Sequence, residues 1–263
     1  MIGPGLPTGD GQNNDAWYYY PTFGDPNDPN VAGFQRVIDN RDVDFASGSS
    51  LLAAARKLGL DIPVLCYQPG CTPNTACMAC VVKVRDPDRI LPSCATPAAD
   101  GLVVESETPE LHALRRTALE LLLSDHSGAE ADPDHPGRLR CDCTKRDVCR
   151  LRKYAELYQA DPARYRGVQR HVERHYEHPE IRYDPTKCIL CGICIQIARQ
   201  FREPLGLTWV GRGFDVRVDV ALAAPFADAL RTAARRCAAA CPTAALTLRK
   251  TGDVPVETRR EED

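Results

Sequence analysis

The sequence predicts an α+β protein built from three small modules, each stapled by cysteines. Three observations predict it. First, the 263 residues hold thirteen cysteines in groups: Cys66, Cys71, Cys77, Cys80 and Cys94; then Cys141, Cys143 and Cys149; then Cys188, Cys191 and Cys194, answered later by Cys237 and Cys241. Second, short strand and helix signals are interleaved around these groups. Third, only 6% of residues are aromatic, which is thin for a large core, and small modules need staples because each buries little apolar surface.

Bulk properties narrow the function classes. The net charge of −3 creates no strong field towards nucleic acid or anionic lipid. The N-terminus MIGPGLPTGDGQNN has neither the basic region nor the apolar run of a signal peptide, and no stretch is apolar and long enough to span a bilayer. The expected compartment is therefore cytoplasmic, where thiols stay reduced. Close-set cysteines then read as metal ligands rather than disulfides, and an odd count cannot pair off completely.

Residues 1–30, rich in Gly, Pro, Asn and Asp, read as an irregular arm. Trp17 and Tyr18 to Tyr20 interrupt it. They read either as an aromatic patch on the chain's own surface or as a docking anchor for a partner subunit.

Residues 31–106 form the first module. FQRVIDNRDVDFA reads as two short strands with a turn near Asn40. SGSSLLAAARKLGL reads as a helix with a serine cap and Gly59 near its end. IPVLC leads into the loop CYQPGCTPNTACMAC, CVVKVRD is a strand, LPSCATP brings in Cys94, and LVVES is a further strand. This is a ferredoxin-type, β-grasp-like plan. Five cysteines compete for four places. The plant-type C-x4-C-x2-C spacing fits Cys66 and Cys71 but then meets Asn74. The set Cys66, Cys77, Cys80 and Cys94 leaves Cys71 over. A loop carrying Pro69, Gly70 and Pro73 can aim backbone N–H groups at sulfur. Four thiolates also suit zinc.

Residues 107–165 form a helical module. TPELHALRRTALELLLSDH reads as a helix capped by Thr108, with Pro109 in its first turn and Leu111, Leu119 and Leu122 on its apolar face. SGAEADPDHPGRLR reads as a polar connection, and the second half of RCDCTKRDVCRLRKYAELYQA as a helix. Cys141, Cys143 and Cys149 lack a fourth partner, which His126 or His135 would supply. An imidazole in place of a thiolate makes such a site less negative and easier to reduce.

Residues 166–250 form the third module, and 251–263 a solvated charged tail. KCILCGICIQIARQ carries the first three cysteines of a bacterial ferredoxin run, but Ala198 stands where the fourth belongs. In two-cluster ferredoxins each run's proline-followed cysteine ligates the other run's cluster. The pair Cys241–Pro242 therefore supplies the fourth ligand for Cys188, Cys191 and Cys194. Cys237 is a remnant of the second site, and this module holds one 4Fe–4S cluster. REPLGLTWVGRGFDVRV reads as a turn and strand, followed by a helix around ADALRTAARR.

The order of these sites resembles the N-terminal iron–sulfur region of the large peripheral-arm subunit of respiratory complex I. It is similar also to the small diaphorase subunit of NAD-reducing hydrogenases, the front half of iron-only hydrogenases, and some NAD-linked formate dehydrogenases. IPVLCYQPG, CMACVVKV, LPSCATPAADG, RRTALELLLSDH, KCILCGIC, GRGFDV and CPTAAL carry the resemblance, over roughly residues 34–249. It implies a 2Fe–2S cluster on Cys66, Cys77, Cys80 and Cys94. It also implies a 4Fe–4S cluster on His126, Cys141, Cys143 and Cys149, and another on Cys188, Cys191, Cys194 and Cys241. The family's middle site runs H-x3-C-x2-C-x5-C, of which only the x5 survives: fourteen residues separate His126 from Cys141, and Cys141 and Cys143 are two apart.

No Walker A sequence or strand-flanked G-x-G-x-x-G is present, nor any flavin or active-site metal motif. The expected function is an electron-transfer subunit without a substrate site. By resemblance, it would relay electrons between a flavin/NAD(P)H subunit and a redox catalytic subunit such as a hydrogenase or formate dehydrogenase. The alternative is a zinc-bound structural or interaction module of the same descent. A self-contained redox enzyme fits less well.

Overall fold

The structure is a computed structural model that describes residues 37–46, 48–85, 88–141, 149–165 and 176–249. The chain divides into two compact units, residues 1–34 and 35–263. All described residues belong to the second. The N-terminal arm with Trp17 and Tyr18 to Tyr20, Cys143, and the charged tail lie outside the described residues.

The elements in chain order are β1 (Val37–Ile38), β2 (Arg41–Asp42), α1 (Leu51–Lys57), β3 (Val81–Val84), β4 (Arg89–Pro92), β5 (Val103–Glu105), α2 (Pro109–Ser124), β6 (Ala129–Ala131), β7 (Leu139–Cys141), α3 (Arg150–Leu157), β8 (Ile181–Tyr183), α4 (Ile193–Gln200), β9 (Thr208–Val210), β10 (Arg217–Asp219), α5 (Phe226–Ala229), α6 (Ala234–Ala240) and β11 (Leu246–Leu248). The content is mixed helix and strand, as the sequence predicts.

Five strands form one sheet in the order β2-β1-β5-β3-β4. The β1–β2 turn places Asp39 and Asn40 at φ 50° and 59°. These short polar side chains tolerate the left-handed region that tight hairpins need. β1 and β5 are parallel, and the other pairings are antiparallel. Ser50 caps α1 by accepting from Ala53 N, and the helix buries Leu51, Leu52, Ala54 and Ala55. Its partners in the core are Ile38, Val82, Val84 and Val104. Each fully buried leucine is worth roughly 1.5–3 kcal/mol.

Thr108 caps α2 by accepting from Leu111 N, with Pro109 at the first position. Leu111, Arg115 and Leu119, four residues apart, share one buried face. Arg115 has no exposed surface. Its guanidinium donates to Glu107 Oε1 and Tyr158 OH at 2.9 Å and to the Val81 and Ser106 carbonyls at 2.8 Å. One buried cation thus ties the five-stranded sheet to α2 and to the end of α3.

The polar stretch after α2, expected as a connection, contains the antiparallel β6–β7 hairpin. In the C-terminal part, β8 pairs with β11, the first and last strands of that region, and α4 packs on α6. The helix expected around ADALRTAARR is two helices, α5 and α6. Leu230 leaves helical geometry between them, and Glu203 accepts from Arg231, Thr232 and Ala233 backbone N–H groups, capping the start of α6. Among the described residues no helix is long and apolar enough to cross a membrane.

Candidate iron–sulfur sites

Cys66, Cys77, Cys80 and Cys94 are brought together and are 1–4% exposed. Cys66 ends the segment after α1. Cys77 and Cys80 lie on the approach to β3, where Thr75 and Met78 adopt φ 52° and 49° to turn the chain sharply. The β3–β4 register, Val81 opposite Pro92, carries Cys94 to Cys80. Ser93 fastens the junction: its N–H and Oγ both donate to Cys80 O, at 3.1 and 2.7 Å.

The four thiols form two hydrogen-bonded pairs. Cys77 accepts from Cys66 and from the backbone N–H groups of Ala79, Leu65 and Cys66, which together hold its thiol at about 6. Cys80 is lowered by the Cys94 thiol, with help from Cys94 N–H and Ser93 Oγ. Cys66 and Cys94 are raised as the donors of these pairs. The backbone donors thus come from residues 65, 66, 79 and 94 rather than from the Pro69–Pro73 loop. Cys71 stands apart from this set; its sulfur is 3.9 Å from Gln200 Nε2.

Cys188, Cys191, Cys194 and Cys241 line one small cavity, walled otherwise by side chains such as Tyr183, Ile193, Val218 and Leu246. The loop bends through Leu190 at φ 55° and Gly192 at φ 72°. A Cβ on Gly192 would lie 3.1 Å from Trp209 Cζ2, so space and backbone both call for glycine. Cys241 ends α6. Thr243 Oγ1 donates to Lys187 O at 2.8 Å, tying the Cys241 segment to the approach to Cys188. Burial raises the Cys191 and Cys194 thiols. Cys194 retains accessible surface because it faces the cavity, although protein atoms surround it. Ala198 and Cys237 are fully buried, and the Cys237 thiol, 3.6 Å from Cys194 O, is pushed up to about 12 by burial.

The middle set is drawn together differently. His126 is buried and His135 exposed, the latter paired with Asp132 in the hairpin's connecting loop. The hairpin sets Cys141 directly opposite Ala129, three residues beyond His126. It thereby returns Cys141 towards the base of the excursion, close to where the x3 spacing would put a ligand. Cys149 is buried at the start of α3, and burial raises its thiol. Arg150 N–H donates to Pro242 O at 2.9 Å, and Ser127 N–H to Thr186 O at 3.2 Å. Residues next to Cys149 and His126 therefore abut both ends of the C-terminal site. Cys141 is held in a disulfide instead of standing as the free thiol expected, and ligation would first require its reduction. Among the described residues no three His, Cys, Asp or Glu side chains converge closely enough to hold a single metal ion.

Residues 35–109 match the family described as a 2Fe-2S iron-sulfur cluster binding domain, and residues 181–248 match the 4Fe-4S single cluster domain family. The chain is 35% identical over 215 residues to the NADP-reducing hydrogenase subunit HndD of Solidesulfovibrio fructosivorans, covering 80% of this chain and 35% of that protein. It is 30% identical over 190 residues to the mitochondrial NADH-ubiquinone oxidoreductase 78 kDa subunit of Neurospora crassa, covering 71% of this chain and 24% of that relative. A chain in the crystal structure of an NAD+-reducing NiFe-hydrogenase in the H2-reduced state matches with TM-score 0.70 and 29% identity, over 84% of this chain and 89% of that one. The chain shares the iron–sulfur region of complex I and NAD(P)-linked hydrogenase subunits. It spans about a third of the HndD relative and about a quarter of the 78 kDa relative. Both of these relatives are named as subunits.

Sequence reasoning missed Ser93, Arg115, Asn74, Gln196 and Gln200. Only Arg115 left a signal: it shares a helical face with Leu111 and Leu119, so an arginine stands on an apolar stripe.

Proposed function

We propose that the chain is an iron–sulfur electron-transfer subunit of a multi-subunit NAD(P)-linked oxidoreductase, standing between a flavin/NAD(P)H subunit and a redox catalytic subunit. Three cluster modules are assigned, at residues 31–106, 107–165 and 166–250. Cys66, Cys77, Cys80 and Cys94 hold a 2Fe–2S cluster. Cys188, Cys191, Cys194 and Cys241 hold a 4Fe–4S cluster. His126, Cys141, Cys143 and Cys149 hold a second 4Fe–4S cluster. Such clusters, when bound, supply reversible one-electron transfer.

The observation that carries this reading is the cavity lined by four cysteines and otherwise largely apolar side chains. Its donor set and dry surroundings suit a four-iron cluster. At the first site, the match of residues 35–109 to the 2Fe-2S cluster binding domain family supports a cluster over a single tetrahedral zinc ion. The chain's own residues bind and tune. The N–H groups of Leu65, Cys66, Ala79 and Cys94 direct hydrogen bonds at sulfur and Ser93 clamps the Cys80 carbonyl, while Ile193, Val218 and Leu246 help keep water from the C-terminal thiols. For the middle site, the hairpin's return of Cys141 supports His126, at its base, over the exposed His135 in the connecting loop.

Metal analysis and EPR of anaerobically purified protein test the assignment. The expected result is about ten irons per chain, matching sulfide, and signals from both cluster types on reduction. About six irons would remove the middle cluster. Zinc with little iron would overturn the electron-transfer reading.

A further inference from the structure

The loop between Cys66 and Cys77 makes hydrogen bonds to the C-terminal region. Residues 70–74 lie against α4, the helix that carries Cys194. Gln196 engages Thr72 from both sides: Thr72 N–H donates to Gln196 Oε1 at 2.7 Å, and Gln196 Nε2 donates to Thr72 O at 2.8 Å. One turn further on, Gln200 Nε2 donates to Gly70 O at 2.5 Å. Asn74 reaches back, its Nδ2 donating to Cys191 O at 3.3 Å. The i,i+4 spacing of the glutamines sets both amides on one helix face.

These bonds join segments 117 to 130 residues apart in sequence. Those made by the glutamines lie at the surface, where hydrogen bonds compete with water, so their consequence is register more than stability. A side-chain amide that both donates to and accepts from one residue's peptide groups fixes that segment in position and orientation. The segment it fixes runs between two ligand candidates of the first site. The helix it fixes it to begins next to the ligands of the C-terminal site.

We propose that Gln196, Gln200 and Asn74 form a latch that sets the separation of the first and C-terminal cysteine sites. They are positioning residues for electron passage between those sites, an inference that rests on the cluster assignment above. Gln196 and Gln200 can be changed without touching any thiol assigned to a cluster.

The test uses the full chain with its clusters loaded. In Gln196→Met/Gln200→Met, side-chain length is kept and the hydrogen bonds are lost. Iron content and each cluster's own g-values should match those of the unaltered chain. The spin–spin interaction between the two reduced clusters should weaken, amide exchange at residues 70–74 should rise, and electron re-equilibration after flash reduction should slow several-fold. Gln196→Glu keeps the acceptor for Thr72 N–H, loses the donor, and should fall between. Unchanged interaction, exchange and rate with iron intact would overturn the latch. So would loss of iron from the double variant, because the glutamines would then be holding a site together rather than spacing two. Absence of either cluster from the unaltered chain would overturn the underlying assignment, and the iron count reveals that before any variant is made.

Discussion

The two well-formed cysteine sets place sulfur in opposite surroundings. Around Cys77 and Cys80 hydrogen bonds dominate: the Cys66 thiol and three backbone N–H groups lower Cys77, and the Cys94 thiol and N–H, with Ser93, lower Cys80. Around Cys191 and Cys194 the dominant influence is burial, which raises both. In the first region two thiols are thus prepared for charge while their donor partners Cys66 and Cys94 are raised; in the other, burial raises Cys191 and Cys194 alike. Hydrogen bonds to sulfur and burial are separate levers on cluster potential, and this chain uses mainly one in each region.

The largest effect expected from breaking this comparison lies at Arg115. The hydrogen-bonded region depends on a buried cation with four acceptors; the apolar cavity shows no counterpart among its lining residues. Arg115→Met leaves the Val81 and Ser106 carbonyls without this donor and should destabilise the protein by about 2–4 kcal/mol, at roughly 1–3 kcal/mol for each buried acceptor left unsatisfied, read by denaturant unfolding. The 2Fe–2S signal should be lost at lower denaturant than the 4Fe–4S signal, because Val81 directly follows Cys80. A change near zero would mean that the polar network is incidental to the first region.

A second prediction concerns the pH dependence of cluster loading. In metal-free protein near pH 7.5, Cys77, held at about 6, is already a thiolate, whereas burial keeps Cys191 and Cys194 protonated. Ligation needs thiolate, so loading must displace protons. Cys66 and Cys94 at the first site are raised as well, so each site must shed protons from two raised thiols, and reconstitution of both clusters should improve between pH 7 and 9. Separate EPR quantification of the two clusters after anaerobic reconstitution checks this. A flat profile for either cluster would mean that its raised thiols do not limit loading.

Cysteine spacing was legible because cluster ligation restricts which thiols can meet. The Cys66, Cys77, Cys80 and Cys94 group and the pairing of Cys241 with the Cys188 run could be written from sequence, as could the Ser50 and Thr108 caps, whose signals are local. The β6–β7 hairpin could not. Its strands, AEA and LRC, are too short and polar to show an alternating pattern, and Pro133 and Pro136 mark only a loop. Yet that hairpin explains how a fourteen-residue gap can return Cys141 towards His126. The contacts of Gln196 with Thr72 were equally hidden, because hydrogen bonds across more than a hundred residues leave no local trace. The break between α5 and α6 depends on Glu203, thirty residues before Ala233, and no local window contains both.

The smallest effect sharpens the comparison most. Ser93→Ala removes one hydroxyl that donates to Cys80 O at 2.7 Å and helps lower the Cys80 thiol. The structural cost should be about 1 kcal/mol, the usual net worth of such a hydrogen bond. Without that clamp on the Cys80 peptide and the hydroxyl dipole beside it, negative charge on the Cys80 sulfur is less well stabilised. The reduced 2Fe–2S cluster carries one more electron than the oxidised form, so it loses more from that change, and its potential should fall. The 4Fe–4S potential, governed by the apolar cavity, should not move. Redox titration followed by EPR resolves the two in one sample. A fall confined to the 2Fe–2S signal assigns hydrogen bonding as the lever in the first region, whereas equal shifts would mean that both sites respond to a shared global field.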